Sequence, residues 1–134
     1  MDITARRQAQ EEVFHLYNNI PGAVFRCRFD KDFSVIAAND GLFEFLGYTR
    51  EEFAALGNKM SAVIYPEDLL IMKDILDSQL RYGNTIQNQN RLICRDGTVK
   101  WISIKAQLIR GEDQEQYFYC VFVDITDEKK LQEQ

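Results

Sequence analysis

The stretch RLICRDGTVKWI, residues 91–102, sets Asp96-Gly97 between two runs rich in strand-forming residues. An Asp-Gly pair supplies the positive φ that a tight hairpin demands, and it is the strongest short-range hairpin signal available. The pair joins TIQNQNRLICR (85–95) to TVKWISIKAQLIR (98–110). A third strand-like run, QEQYFYCVFVDIT (114–126), follows a loop containing Gly111, Glu112 and Asp113. That run is apolar on both faces, with Tyr117, Tyr119, Val121 and Val123 on one and Phe118, Cys120 and Phe122 on the other. Such a strand belongs in the middle of a sheet, covered by helices on one side. On the other side, the opening helix of the chain or a partner chain is expected.

Upstream of the hairpin, PEDLLIMKDILDSQLRYG (66–83) has helical spacing. Leu69, Met72, Ile75, Leu76 and Leu80 form one stripe, and Lys73, Asp74, Asp77 and Arg81 lie opposite. Pro66 suits the first turn, Glu67 and Asp68 suit its dipole, and Gly83 is expected to close the helix. Before it, NDGLFEFLGYTREEF (39–53) holds two short helices. Asn39 or Asp40 caps the first and Gly47 takes its left-handed C-terminal cap. Thr49 and Glu52 form a capping box for the second, with Tyr48 and Phe53 at the staple positions. Earlier still, AVFRCRF (23–29) alternates Ala23, Phe25, Cys27 and Phe29 against Arg26 and Arg28, and FSVIAA (33–38) returns after a turn at Lys31-Asp32.

Ala9, Val13, Leu16, Tyr17 and Ile20 recur at helical spacing in the opening segment, which Ile20-Pro21-Gly22 ends. After Ile125, Thr126 is expected to cap a closing helix with Asp127 and Glu128 in its first turn. The order is helix, two strands, three helices, three strands, helix. Antiparallel strands with helices gathered on one face make an α+β architecture.

The chain has 134 residues, about one domain's worth. Its net charge of −5 argues against a nucleic-acid footprint, which needs clustered Lys and Arg. No run approaches the roughly 20 apolar residues of a membrane span, and no signal-peptide pattern opens the chain. Neither direct membrane contact nor nucleic-acid binding is therefore expected. Cys27, Cys94 and Cys120 are odd in number and have no CxxC spacing, so a reducing cytoplasm fits better than a disulfide framework or a zinc site.

Four stretches taken in order, AANDGLFEFLGYTREEF, IYPEDL, RLICRDGTVKWI and the closing FVDIT, resemble a PAS domain over nearly the whole chain from about residue 20 to 126. The spacing of Arg91, Asp96, Gly97 and Trp101 is similar to that of bacterial sensor members. The resemblance implies a five-stranded antiparallel sheet, short helices enclosing a small cavity, and a closing Asp-Ile-Thr that joins the sheet to an output helix. Asp124 and Thr126 match that motif and become the expected signal-relay residues. Asp2-Ile3-Thr4 matches it too, so an upstream PAS domain is expected to end there. On this reading residues 1–19 are a linker helix, 20–126 the domain and 127–134 the start of a signalling helix.

Each cofactor such domains hold requires particular residues. RCRF (26–29) echoes the Asn-Cys-Arg-Phe motif of photochemical flavin-binding members, but it lies on a strand and lacks the preceding Gly-x-Asn. Haem-binding members place a ligating His on or near the long helix, which has none here; His15 sits in the opening helix. Haem and photochemical flavin are therefore not expected, nor is a metal, since the His and Cys residues are scattered. An unidentified small molecule remains. Gln79 on the apolar side of the long helix, with Asn88 and Asn90 among Ile86 and Leu92, could orient such a ligand. Alternatively these amides bond backbone or water at a cavity edge. Phe25, Cys27, Phe43, Met72 and Leu76 are candidate lining residues that serve equally as core. Cys94 and Cys120 read as buried inert thiols.

Asp124 closes an apolar strand, where an unpaired carboxylate is costly to bury. Arg95 and Lys105 are its expected partners, and it reads either as a latch on the exit helix or as simple strand termination. No phosphate-cradling glycine loop and no nucleophile with a base appear, so no catalytic role is assigned to any residue. The expected function is a cytoplasmic bacterial sensory module, dimeric through its flanking helices, acting on a linked kinase or diguanylate cyclase. The alternative is a ligand-free module for dimerisation and spacing.

Overall fold

The computed structural model describes residues 22–111 and 114–132. The opening helix, with His15, and the first Asp-Ile-Thr lie outside the described residues. Five strands form one antiparallel sheet: β1 (Ala23–Arg28), β2 (Val35–Ala38), β3 (Thr85–Ile93), β4 (Val99–Arg110) and β5 (Gln116–Asp124). Their order is β2-β1-β5-β4-β3, so the two-faced strand is central as its pattern requires. Between β2 and β3 come α1 (Asp40–Leu46), α2 (Arg50–Ala55), a 3₁₀ turn at Met60–Ala62 and α3 (Pro66–Leu80); α4 (Thr126–Gln132) follows β5. The fold class is α+β, as expected. No helix among the described residues is long and apolar enough to cross a membrane.

Local chemistry explains most boundaries. Asn39 accepts from Leu42 N–H at 3.3 Å to cap α1, and the same oxygen accepts from Val24 N–H at 2.9 Å, tying the helix start to β1. Gly47 ends α1 in the left-handed region at φ 79°. Thr49 and Glu52 form the reciprocal capping box of α2, and the Tyr48 and Phe53 rings meet at 6.4 Å. Two details differ from expectation. The Asp96-Gly97 hairpin has a three-residue loop, because Cys94 N–H donates to Thr98 O and Gly97 alone takes the positive φ. The end of α3 comes at Leu80, and Gly83 has no left-handed role.

The core lies between one face of the sheet and the helices. Phe25, Leu42, Leu46, Phe53, Leu92 and Phe122 are nearly or fully buried in a single cluster. On the opposite face of β5, Tyr117, Tyr119 and Val121 are half-buried and Val123 is 45% exposed. The opening helix expected over that face lies outside the described residues.

Candidate functional site

A cavity sits in the core under α3, with about 60 Å³ open to the centre of a water molecule. Its floor is the inner face of the sheet: Phe25 and Cys27 of β1, Phe118 and Cys120 of β5, and Ile102, Ile104 and Ala106 of β4. From β3 come Ile86, Asn88, Asn90 and Leu92, the period-two set of one strand face. Met72 and Leu76 of α3 roof it, and Phe33, Met60 and Ile64 close the side. Among the described residues no charged side chain lines it.

Six of the eight residues singled out from the sequence line this cavity: Phe25, Cys27, Met72, Leu76, Asn88 and Asn90. Phe43 does not. Its ring packs edge-on against Phe53 at 5.7 Å, with the Arg50 guanidinium 4.6 Å from its centre. Gln79 is also elsewhere, since its amide exchanges two 2.8 Å hydrogen bonds with the backbone N–H and C=O of Gln87. Both residues sit on helices, where a turn of 100° per residue makes the inner face hard to place by stripe alone.

Gln79 belongs to a system that the sequence did not disclose. β3 is an edge strand, and its outward backbone groups need partners. Gln79 satisfies Gln87, and Tyr65 N–H donates to Arg91 O. Ile93 N–H donates to Val63 O, and Asp68 accepts from Arg91 N–H at 2.7 Å. The Asp68 carboxylate also accepts from the Arg91 guanidinium at 2.8 and 3.1 Å. α3 is thus pinned to β3 near both ends, and Met72 and Leu76 roof the cavity between the pins. The guanidinium bonds hold the Asp68 carboxyl below its usual range, outweighing the opposing effect of burial.

Cys27, Cys94 and Cys120 are all free and buried. Cys27 and Cys120 lie 4.0 Å apart, sulfur to sulfur, and are diagonal rather than paired in register, which suits a thiol contact better than a bridge. Hydrogen bonding with Cys27, reinforced by burial, pushes the Cys120 thiol well above its ordinary pKa. Burial likewise raises Cys94.

At the far end of β5 the expected partners of Asp124 are engaged or apart. Arg95 pairs with Glu52 at 2.7 Å, and neither Arg95 nor Lys105 bonds Asp124. Asp124 is exposed, so no buried charge calls for a cation. It accepts instead from Thr126 N–H at 2.9 Å and Thr126 O–H at 2.6 Å. Thr126 lies in the first turn of α4 rather than capping it, and its hydroxyl oxygen accepts from Trp101 N–H at 3.0 Å. Ile125 N–H donates to Trp101 O, and Lys129 Nζ sits 4.8 Å from the Trp101 ring centre. On the β3 side the Arg91 guanidinium lies 5.2 Å from that ring and 3.9 Å from Tyr65.

The register joins the two ends. Asn90 of β3 faces Ile102 of β4, and Ile102 faces Asp124 of β5; in the adjoining row Arg91 faces Trp101. The Arg91–Trp101 spacing noted in the sequence is this cross-strand pair. A family model described as the PAS fold matches residues 35–123. The chain belongs to the PAS fold family. A PAS domain from Colwellia psychrerythraea superposes with a TM-score of 0.72 at 19% identity, covering 89% of this chain and 98% of that one. The PAS domain of a two-component sensor histidine kinase gives 0.68 at 13% identity, with coverage of 89% and 98%. The N-terminal domain of a diguanylate cyclase with a PAS/PAC sensor, from Marinobacter aquaeolei, gives 0.60 at 16%, with coverage of 81% and 98%. These likenesses concern the PAS fold. No curated protein matches the chain.

Proposed function

We propose that this PAS domain is a sensory module of a cytoplasmic bacterial signalling protein, passing a ligand-borne or upstream signal to a linked output domain. The observation that carries the reading is the register row Asn90–Ile102–Asp124, which runs from the cavity wall to the start of the exit helix. A ligand that favours one arrangement of β3 and β4 would shift the population of α4 positions through the Trp101–Thr126 and Thr126–Asp124 hydrogen bonds. Neighbouring PAS structures come from a histidine kinase and a diguanylate cyclase, and an output domain of either type fits this reading. The flanking helices would pair two copies, and the first Asp-Ile-Thr would end an upstream PAS domain.

The test is Asp124→Ala in the intact parent protein. Output regulation should change while the unfolding midpoint of the domain stays in place. Wild-type regulation in that variant would remove Asp124 from the relay.

A second reading, dimerisation without a ligand, is favoured by the apolar outer face of β5. Native mass spectrometry of freshly purified protein separates the two, since a retained small molecule supports the sensor and its absence supports the spacer.

A further inference from the structure

The cavity has one loose side. Its floor is a hydrogen-bonded ladder of strands, and α3 is fastened to β3 by Gln79 and Asp68. On its other side α3 faces the β1–β2 turn, residues 29–34. Among the described residues no hydrogen bond or ion pair joins that turn to α3. An outer groove of about 440 Å³ lies between them instead. Phe33, Met72 and Leu76 line both this groove and the cavity of about 60 Å³, so these three side chains are the partition.

Phe33 differs from the other two in its backbone. Its φ is 51°, in the left-handed region, where a bulky residue is an outlier. The turn holds it there. The Asp30 carboxylate accepts from Asp32 N–H at 3.2 Å, Ser34 N–H at 3.1 Å and Ser34 O–H at 2.9 Å, and Met60 N–H donates to Phe33 O at 3.3 Å. Glycine or asparagine would take this φ at little cost, so turn chemistry does not call for phenylalanine. What phenylalanine adds is the ring in the partition. Strain of this kind persists only where the surroundings impose it, and it gathers at ligand clamps and switch segments.

We propose that Phe33 is the gate of the cavity: its ring closes the partition, and the turn that carries it swings from α3 to join cavity and groove. The proposal rests on the reading of the cavity as the sensing site. A turn held at a costly φ gives up strain as it moves, so it opens more readily than a relaxed turn would. Met72, unbranched and flexible, yields beside it, while the fastened β3 side stays fixed. The small cavity is then the closed form, and what enters is limited by the two spaces together.

Two thiols on the cavity floor report the passage without any ligand. Cys27 and Cys120 are each 3% exposed, whereas Cys94 is buried away from the cavity against Phe45 O. The full chain is treated with excess methyl methanethiosulfonate, a small neutral thiol reagent, across a series of low urea concentrations. Peptide mass spectrometry then reads each cysteine separately. Passage through the gate should label Cys27 and Cys120 at a rate that urea leaves unchanged, because a local opening exposes little surface. Phe33→Gly suits the positive φ and lacks the ring. It should raise that rate about ten-fold or more while Cys94 keeps its own. Phe33→Leu should fall between, with circular dichroism confirming that both variants fold. Labelling that climbs with urea along the slope of global unfolding, or that ignores both variants, overturns the gate. Acceleration shared by all three cysteines overturns it too, since it reports a loosened domain. Failure of the gate leaves the sensory reading to native mass spectrometry, and an empty cavity in that measurement leaves the gate standing.

Discussion

Asp68 receives three hydrogen bonds from Arg91, one from the backbone N–H and two from the guanidinium. A residue in the first turn of a helix thereby satisfies a sheet edge and neutralises a cation stacked between Tyr65 and Trp101. The pair is partly buried, with side chains 12% and 25% exposed, so its bonds are stronger than those of a surface ion pair.

Asp68→Ala should lower unfolding stability by about 2 kcal/mol, the scale of charge-assisted hydrogen bonds at a partly buried site. The loss is held there because Glu67, 3.8 Å from Arg91, can take over part of the charge. Urea unfolding followed by circular dichroism measures it. A loss under about 0.5 kcal/mol would place the pair among ordinary surface contacts.

The same pair sets a pH dependence. The folded-state pKa of Asp68 is depressed by the Arg91 hydrogen bonds, so its contribution is complete above the unfolded value of about 3.9 and disappears as pH falls through the lower folded value. Stability should therefore drop as pH falls below about 4. Asp68→Asn should flatten that drop without abolishing it, because Asp30, Glu52 and Asp96 also titrate low. Unfolding midpoints between neutral pH and the acid limit check both slopes.

Gly41→Ala should cost about 1–3 kcal/mol, the range of overpacking in a filled interior. A Cβ at residue 41 would lie 2.2 Å from the carbonyl oxygen of Gly22, a backbone atom that cannot swing away. Thermal unfolding of the variant is the measurement, and an unchanged midpoint would mean that α1 shifts freely against the start of β1.

Trp101 is the chain's single tryptophan, which makes the exit-helix joint optically addressable. Lys129→Met removes the cation over its ring and should alter the emission and raise acrylamide quenching, while stability changes by about 0.5–1 kcal/mol. Identical spectra for the two proteins would place α4 away from the ring in solution.

Legibility in the sequence followed the range of the interactions. Asn39, Gly47 and the Thr49–Glu52 box are decided within a few residues, and all three were readable. The strand faces were also readable, because alternation is unambiguous: Asn88 and Asn90 were placed beside Ile86 and Leu92, and all four line the cavity. What escaped was pairing at a distance. Asp68 and Arg91 are 23 residues apart, and Asp68 looked complete as a first-turn acid favoured by the helix dipole. Gln79 was misplaced because an amide on a helix stripe does not reveal whether it turns inward or toward a sheet edge. Asp124 was given cationic partners on the assumption of burial, whereas it sits at the rim and bonds a residue two positions on.

The central position of β5 beside β1 has a geometric consequence. Antiparallel pairing sets Ala23 opposite Phe122, so the polypeptide comes into the sheet and departs from it at the same end, one strand apart. A unit with adjacent ports can be spliced into a longer polypeptide, duplicated or deleted, while the segments it interrupts remain side by side. Tandem arrays of such cassettes could lengthen by recombination without rebuilding the framework of any one of them.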